Sequence, residues 1–221
     1  MGFIPRAVLV CVSFLVAAPG QGWPGSTLQA QERVDLDSLG YPRGEPGAPV
    51  EIVEFGDFGC SACAEFATQT WPDFHREFIE TGIVAWRFVP FVLGSFRNSQ
   101  AAATAAVCVA DLSPEAFWSM HDVLYERQDD WKRRRRPKGE LQGLAEEVGV
   151  DGDAFEDCYD GSSAKERIDR NDDAAKALGV RATPTFFVNG RPVMGALTLS
   201  EWRMLIETVR AEGAVSPPGA G

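Results

Sequence analysis

The first 30 residues contain no Asp or Glu and a single cation, Arg6. Histidine is scarce throughout, at His75 and His121, and the five cysteines are widely scattered apart from the pair Cys60 and Cys63. A zinc site on that pair would need two more Cys or His ligands at short spacing. Cys108, Cys158, His75 and His121 are poorly placed in sequence to supply them, so neither a metal nor a cofactor is expected. Positive charge is also short: 21 Lys and Arg stand against 32 Asp and Glu, a net charge of −11, which argues against a nucleic-acid partner. The apolar run from Ala7 to Ala18 falls short of the ~20 residues of a comfortable membrane span.

What that run does resemble is the core of a secretory signal peptide, with Arg6 before it and Pro19, Gly20 and small residues after it. Cleavage is compatible with Ala18 or Ala30, and an uncleaved membrane anchor is the alternative. Cys11 follows Val10 rather than a small residue, and is read as discarded with the leader. An even set of four cysteines then remains, as suits a periplasmic or other extracytoplasmic, oxidising compartment. Losing the leader removes one cation and no acid, so the remainder is more acidic still.

The stretch Glu54 to Phe66 organises the rest. Val50 to Phe55 reads as a buried strand; Gly56 and Gly59 break it, and Cys60-Ser61-Ala62-Cys63 follows. Beyond it Phe66, Thr70, Phe74 and Phe78 recur with helical spacing, which puts Cys60 at a helix N-terminus. There the free N–H groups favour a thiolate, and a cysteine pKa can fall from about 8.5 to roughly 3.5–7.5. Cys63, one turn on, lies within reach of a disulfide. Redox chemistry is the favoured reading of this pair, ahead of a structural disulfide or half of a zinc site.

Residues 31–49 are polar and rich in Gly and Pro, an extended lead into the sheet. A helix over Ala64 to Glu80, kinked at Pro72, and a strand over Ile83 to Val89 complete a β-α-β unit. Residues 98–169 turn helical, with segments at Gln100 to Ala110, Ser113 to Tyr125, Leu141 to Val148 and Asp153 to Asp160. Asn189-Gly190 marks a hairpin between Thr185 to Val188 and Pro192 to Met194, and Ser200 begins a last helix through Arg210. Residues 213–221 are expected to be a disordered tail. Pro184, at the entry to a strand in a redox protein, is compatible with a cis bond or an ordinary trans one.

Three motifs in this order carry a family resemblance: Glu54-Phe-Gly-Asp-Phe-Gly-Cys-x-x-Cys63, Phe117-Trp118-x-x-His121-Asp122-x-Leu124, and Gly179-Val-Arg-Ala-Thr-Pro-Thr-Phe-Phe-Val-Asn-Gly190. From about Val50 to Arg210 the chain resembles the DsbA-like branch of the thioredoxin superfamily. The resemblance implies an α/β thioredoxin fold, over 50–97 and 170–212, interrupted by the helical insertion at 98–169. It also implies a thiol–disulfide oxidoreductase in which Cys60 is the nucleophile and Cys63 the resolving cysteine. Thr183 and a cis Pro184 would hold the client, and Glu54 would sit where relatives keep a buried acid that moves a proton to or from the inner cysteine. Clients would be exported proteins with free thiols, and a membrane or small-molecule redox partner would recharge the disulfide.

Ser61 and Ala62 depart from the residues many relatives carry between the cysteines, and neither offers a cationic hydrogen bond to the thiolate. Oxidase is favoured; a reductase or isomerase on the same fold is one rival, and a chaperone-like binding module with a structural Cys60–Cys63 bond is another. Cys108 and Cys158, both in the insertion, are expected to form a structural disulfide, with a second redox pair as the sharper alternative. His121 is read as a packing residue and His75 as exposed. Phe58 and Phe96 are candidates for gripping unfolded clients. The basic run Lys132 to Arg136 is by default a solvated loop, with docking through Arg133, Arg134, Arg135 and Arg136 to an anionic membrane or acidic partner as the alternative.

Overall fold

A computed structural model describes residues 34–215; the leader expected over 1–30, Cys11 and the last six residues of the tail lie outside the described residues. The apolar run at its centre becomes β2 (Val50–Gly56), buried at every position except Glu51. Such two-sided burial is what a continuous apolar strand requires. Around it lie β1 (Tyr41–Arg43), β3 (Val84–Pro90), β4 (Thr185–Val188) and β5 (Arg191–Met194), in the order β1-β3-β2-β4-β5. β3 runs parallel to β2, while β4 lies antiparallel on its other side.

β1 corrects the reading of 31–49 as a lead alone, because Tyr41–Arg43 pairs antiparallel with β3 as an edge strand. Its three residues are too few for a periodic signal, and Pro42 is tolerated because an edge strand need not donate on both sides. Gly40 makes the approach possible. Its φ is +58°, and a Cβ there would lie 2.2 Å from the Phe88 carbonyl oxygen.

The crossover from β2 to β3 is helical over 61–79, but it is not one kinked α-helix. α1 (Ser61–Glu65) and α2 (Trp71–Phe74) are each followed by a wider π turn, at Phe66–Thr70 and His75–Ile79. Pro72 has no N–H to return to the preceding turn, and the ladder widens on its N-terminal side. The widening aims aromatic rings at the sheet. Phe66 lies 5.2 Å from Phe186, and Trp71 lies 4.9 Å from Trp86. Val53, Phe55, Val89 and Phe187 form the opposite face, under Ala175 and Val180.

Between β3 and β4 come α3 (Ser99–Leu112), α4 (Phe117–Glu126), α5 (Gln128–Lys132), α6 (Lys138–Glu147), α7 (Gly152–Asp160) and α8 (Ser163–Ala177). α3 is buried from Ala102 to Ala110, since alanine lets neighbouring helices close on it from all sides. α8 crosses the boundary drawn at residue 169. Its Ile168 packs into the helical core and its Ala175 into the sheet core, so one continuous helix serves both layers. The last helix, α9 (Leu199–Val215), runs past Arg210 and takes in residues 213–215, the start of the expected tail. No helix of the described residues is long and apolar enough to cross a membrane.

Candidate active site

Strand alternation places Ile52 and Glu54 on one face of β2 and Val53 and Phe55 on the other. Glu54 is flanked in register by Phe88 of β3 and Phe186 of β4. Beyond the strand, Asp57 folds the chain back: its buried carboxylate accepts from Gly59 N at 2.8 Å and Leu93 N at 2.9 Å, and its carbonyl accepts from Cys60 N. Gly59 has to be glycine here, because a Cβ would meet the Ser99 hydroxyl at 2.3 Å and Phe96 Cβ at 2.8 Å.

This turn leaves Cys60 as the N-cap of α1, with extended backbone and its sulfur accepting from Cys63 N at 3.3 Å. Both cysteines are free thiols and both are nearly covered, Cys60 at 2 % exposure and Cys63 at 0 %. Exposure therefore does not separate their roles; electrostatics does. A hydrogen bond from the Cys63 thiol does most to lower Cys60, to about 6, against the opposing effect of burial. The Thr183 side chain adds a weaker pull in the same direction. Burial pushes Cys63 well above the ordinary thiol value, and the neighbouring Cys60 and Glu54 add to the shift. One sulfur is built to be an anion and the other a thiol.

The Thr183–Pro184 peptide is cis. The Thr183 carbonyl accepts from the Cys60 thiol at 3.3 Å, which brings the cysteine turn and the β4 entry together across 123 residues of sequence. The β4–β5 hairpin secures this turn through Gly195 N to Pro184 O at 2.9 Å. Below the pair, burial raises the Glu54 carboxyl to about 8, with the Cys60 charge reinforcing it.

Three contributors were invisible to local sequence patterns. Gln128 Nε2 donates to the carbonyls of Phe58 and Cys60, and Lys132 Nζ reaches Ser61 Oγ at 3.3 Å. Both lie on α5, some 70 positions from the loop they hold. The buried Tyr125 hydroxyl has no hydrogen-bond partner among the described residues, and burial first, then the nearby Cys63, Glu54, Asp57 and Cys60, raises its pKa well above the usual phenol. Only Asp57 had a local signal, as an Asx-type turn former between two glycines.

Phe58 does not face clients, which corrects its reading as a grip. It is 1 % exposed, its ring 5.0 Å from Tyr125 and 5.3 Å from Phe88. Phe96 is half-buried beneath Lys132. His75 is partly buried rather than exposed, accepting from Arg43 Nε at 2.7 Å. His121 is buried among aromatic rings with Nδ1 on Asp122. Cys108 and Cys158 are joined by a disulfide between α3 and α7. Cys108 lies nine positions along α3 from Ser99, the residue that abuts the Cys60 turn, or about 13 Å of helix. Among the described residues no cluster of His, Cys, Asp and Glu is arranged to hold a metal.

Comparison with known proteins follows the same lines. The family model described as Thioredoxin matches residues 40–208. Disulfide bond formation protein D of Bacillus subtilis is 29% identical over 165 residues, 74% of each chain. The crystal structure of oxidised BdbD from Bacillus subtilis superposes with a TM-score of 0.69 at 27% identity, covering 77% of this chain and 92% of that one. DsbA of Chlamydia trachomatis, at 24% identity, shares the fold with a TM-score of 0.71 over 80% of this chain and 95% of its own. Na(+)/H(+) antiporter NhaA 3 of Salinispora tropica is 33% identical over 181 residues, 81% of this chain, but the chain spans only 26% of that protein. A buried, oppositely polarised cysteine pair on this sheet, together with these relatives, places the chain in the thioredoxin family, as a DsbA-like thiol–disulfide oxidoreductase.

Proposed function

We propose that the protein is an extracytoplasmic dithiol oxidase that donates the Cys60–Cys63 disulfide to exported client proteins. The observation that carries this reading is the opposite polarisation of the two sulfurs, Cys60 lowered to about 6 and Cys63 raised well above the ordinary thiol. A low-pKa sulfur is a good leaving group, so a mixed disulfide through Cys60 breaks readily toward the client.

In the first step a client thiolate attacks Cys60 Sγ; the client–Cys60 bond forms, the Cys60–Cys63 bond breaks, and Cys63 leaves with the electron pair. Cys63 is too deeply buried to remain an anion. Glu54, protonated near neutral pH, is the proposed donor of the proton it takes up. In the second step another client thiolate attacks the client sulfur, and Cys60 leaves as a stabilised thiolate. The client has lost two electrons and this protein has gained them as a dithiol. A membrane or small-molecule oxidant then restores the disulfide. Thr183 and Pro184 border the Cys60 sulfur and are the proposed bed for the client backbone.

The name of the Bacillus subtilis relative, a disulfide bond formation protein, supports the oxidase direction. The leader-like first 30 residues support export. The testing experiment is the equilibrium reduction potential of Cys60–Cys63 in glutathione buffers. A value near about −120 mV fits a disulfide donor, whereas one near about −270 mV makes the protein a thiol reductant.

A further inference from the structure

The basic run is more than a surface loop. Trp131 is fully buried with Nε1 donating to Leu124 O, and Asn98 Nδ2 donates to the carbonyls of Trp131, Lys132 and Arg134 at 2.9–3.1 Å. Asn98 does so from a left-handed conformation, φ 60°. Cations that only need water gain nothing from such anchoring. The anchor also brings the backbone at Arg97, the residue before Asn98, next to the run, although 35 positions of sequence separate it from Lys132.

The charge at this rim is unbalanced. Arg133 pairs with Asp129 and Arg134 with Glu140. Arg97, Arg135 and Arg136 are exposed and make no ion pair or side-chain hydrogen bond among the described residues. Lys132 joins them to the site, its Nζ 3.3 Å from the hydroxyl of Ser61, the residue after Cys60. Even fully extended, the backbone from Lys132 to Arg136 spans no more than about 14 Å. A strongly acidic protein thus carries unpaired cations within a few residues of a lysine that contacts the neighbour of its reactive sulfur.

We propose that Arg97, Lys132, Arg135 and Arg136 form a docking rim for an acidic segment of the protein whose thiols exchange with Cys60. The inference deepens the oxidase reading and rests on it for the identity of the partner. Charge complementarity selects an acidic partner and steers its approach, while the chain's net negative charge repels it elsewhere. Position selects a protein over a lipid surface: headgroups covering a rim that touches Ser61 would close off the sulfur a client must reach.

The test uses a fluorescent peptide with Glu and Asp flanking two Ser in place of Cys, and a matching Gln/Asn peptide, titrated against the full mature chain. The acidic peptide should bind, with affinity falling about tenfold between 20 and 500 mM NaCl and by a similar factor in the variant Arg135→Ser/Arg136→Ser at low salt. Far-ultraviolet circular dichroism and the Cys60 titration of the variant establish that it is folded. Equal binding of both peptides, or no loss in the variant, overturns the proposal. So does variant-sensitive binding to vesicles containing phosphatidylglycerol with no preference between peptides, which would assign the rim to a membrane surface. The Cys-containing peptides separate the two readings. Acidic binding without disulfide transfer leaves the rim standing and removes the oxidase, whereas transfer to both peptides at rates equal after correction for their intrinsic reactivity does the reverse.

Discussion

Gln128 and Cys60 meet through one side-chain nitrogen: Nε2 of the glutamine donates to the Cys60 carbonyl at 3.0 Å and to the Phe58 carbonyl at 2.6 Å. The helical insertion therefore holds the cysteine turn directly. Gln128→Leu would leave the buried Phe58 carbonyl without a donor, at about 1–3 kcal/mol, while the Cys60 carbonyl keeps the Ala64 N–H. Urea unfolding should show a loss of about 1–3 kcal/mol, with altered alkylation of Cys60. An unchanged midpoint would mean the turn is held without α5.

The Cys60 thiolate should titrate near 6 when followed by its ultraviolet absorbance, and Cys63→Ala should move the midpoint upward because the largest stabilising hydrogen bond is gone. The sign for stability follows. A depressed thiol pKa favours the folded dithiol fully above the unfolded value of about 8.5, and that contribution is lost as pH falls through about 6. The oxidised form has no such thiolate, so its stability should not follow this curve.

Glu54 acts in the opposite sense. A raised carboxyl favours the folded protein while protonated, fully below about 4.3, and the contribution is lost as pH rises through about 8. Glu54→Gln should stabilise the dithiol protein more at pH 8 than at pH 4, as read from urea midpoints. The same change should slow client oxidation on the order of 10²-fold at neutral pH if the carboxyl donates the Cys63 proton. Unchanged oxidation would remove Glu54 from the proton path.

Cys108→Ala/Cys158→Ala opens a loop of sequence separation 50. The chain-entropy account puts the loss at about 4 kcal/mol. Thermal unfolding should shift down while exchange at Cys60 persists at moderate temperature. Loss of exchange in the folded variant would instead mark these two cysteines as an electron relay.

Where the sequence was readable, the determinants were neighbours. The strand before Cys60, the turn at Gly59, the helix start after Cys60 and the Asn189-Gly190 hairpin are each set within about ten residues, and the structure has all of them, with Gly56 serving as the last residue of the strand rather than its break. Contacts made across long separations left no trace. Gln128 reads as an ordinary helix residue until Phe58 and Cys60 are placed beside it, and β1 is defined by its partner Phe88 rather than by its own three residues. Phe58 was misjudged for the same reason, since its burial depends on Tyr125 and Phe88. α8 has no segment of its own in the sequence pattern, because its buried residues Ala164, Ile168, Asn171 and Ala175 form a narrow stripe in a charged segment.

That same helix determines how the molecule comes apart. With Ile168 in one core and Ala175 in the other, strain or heat that loosens the helical layer pulls on the support of the sheet through a single rigid rod. The two layers should therefore unfold as one cooperative unit, with the amides of α8 exchanging with solvent only at the free energy of global opening. An engineer who wished to replace the insertion would have no seam at residue 169 to cut along.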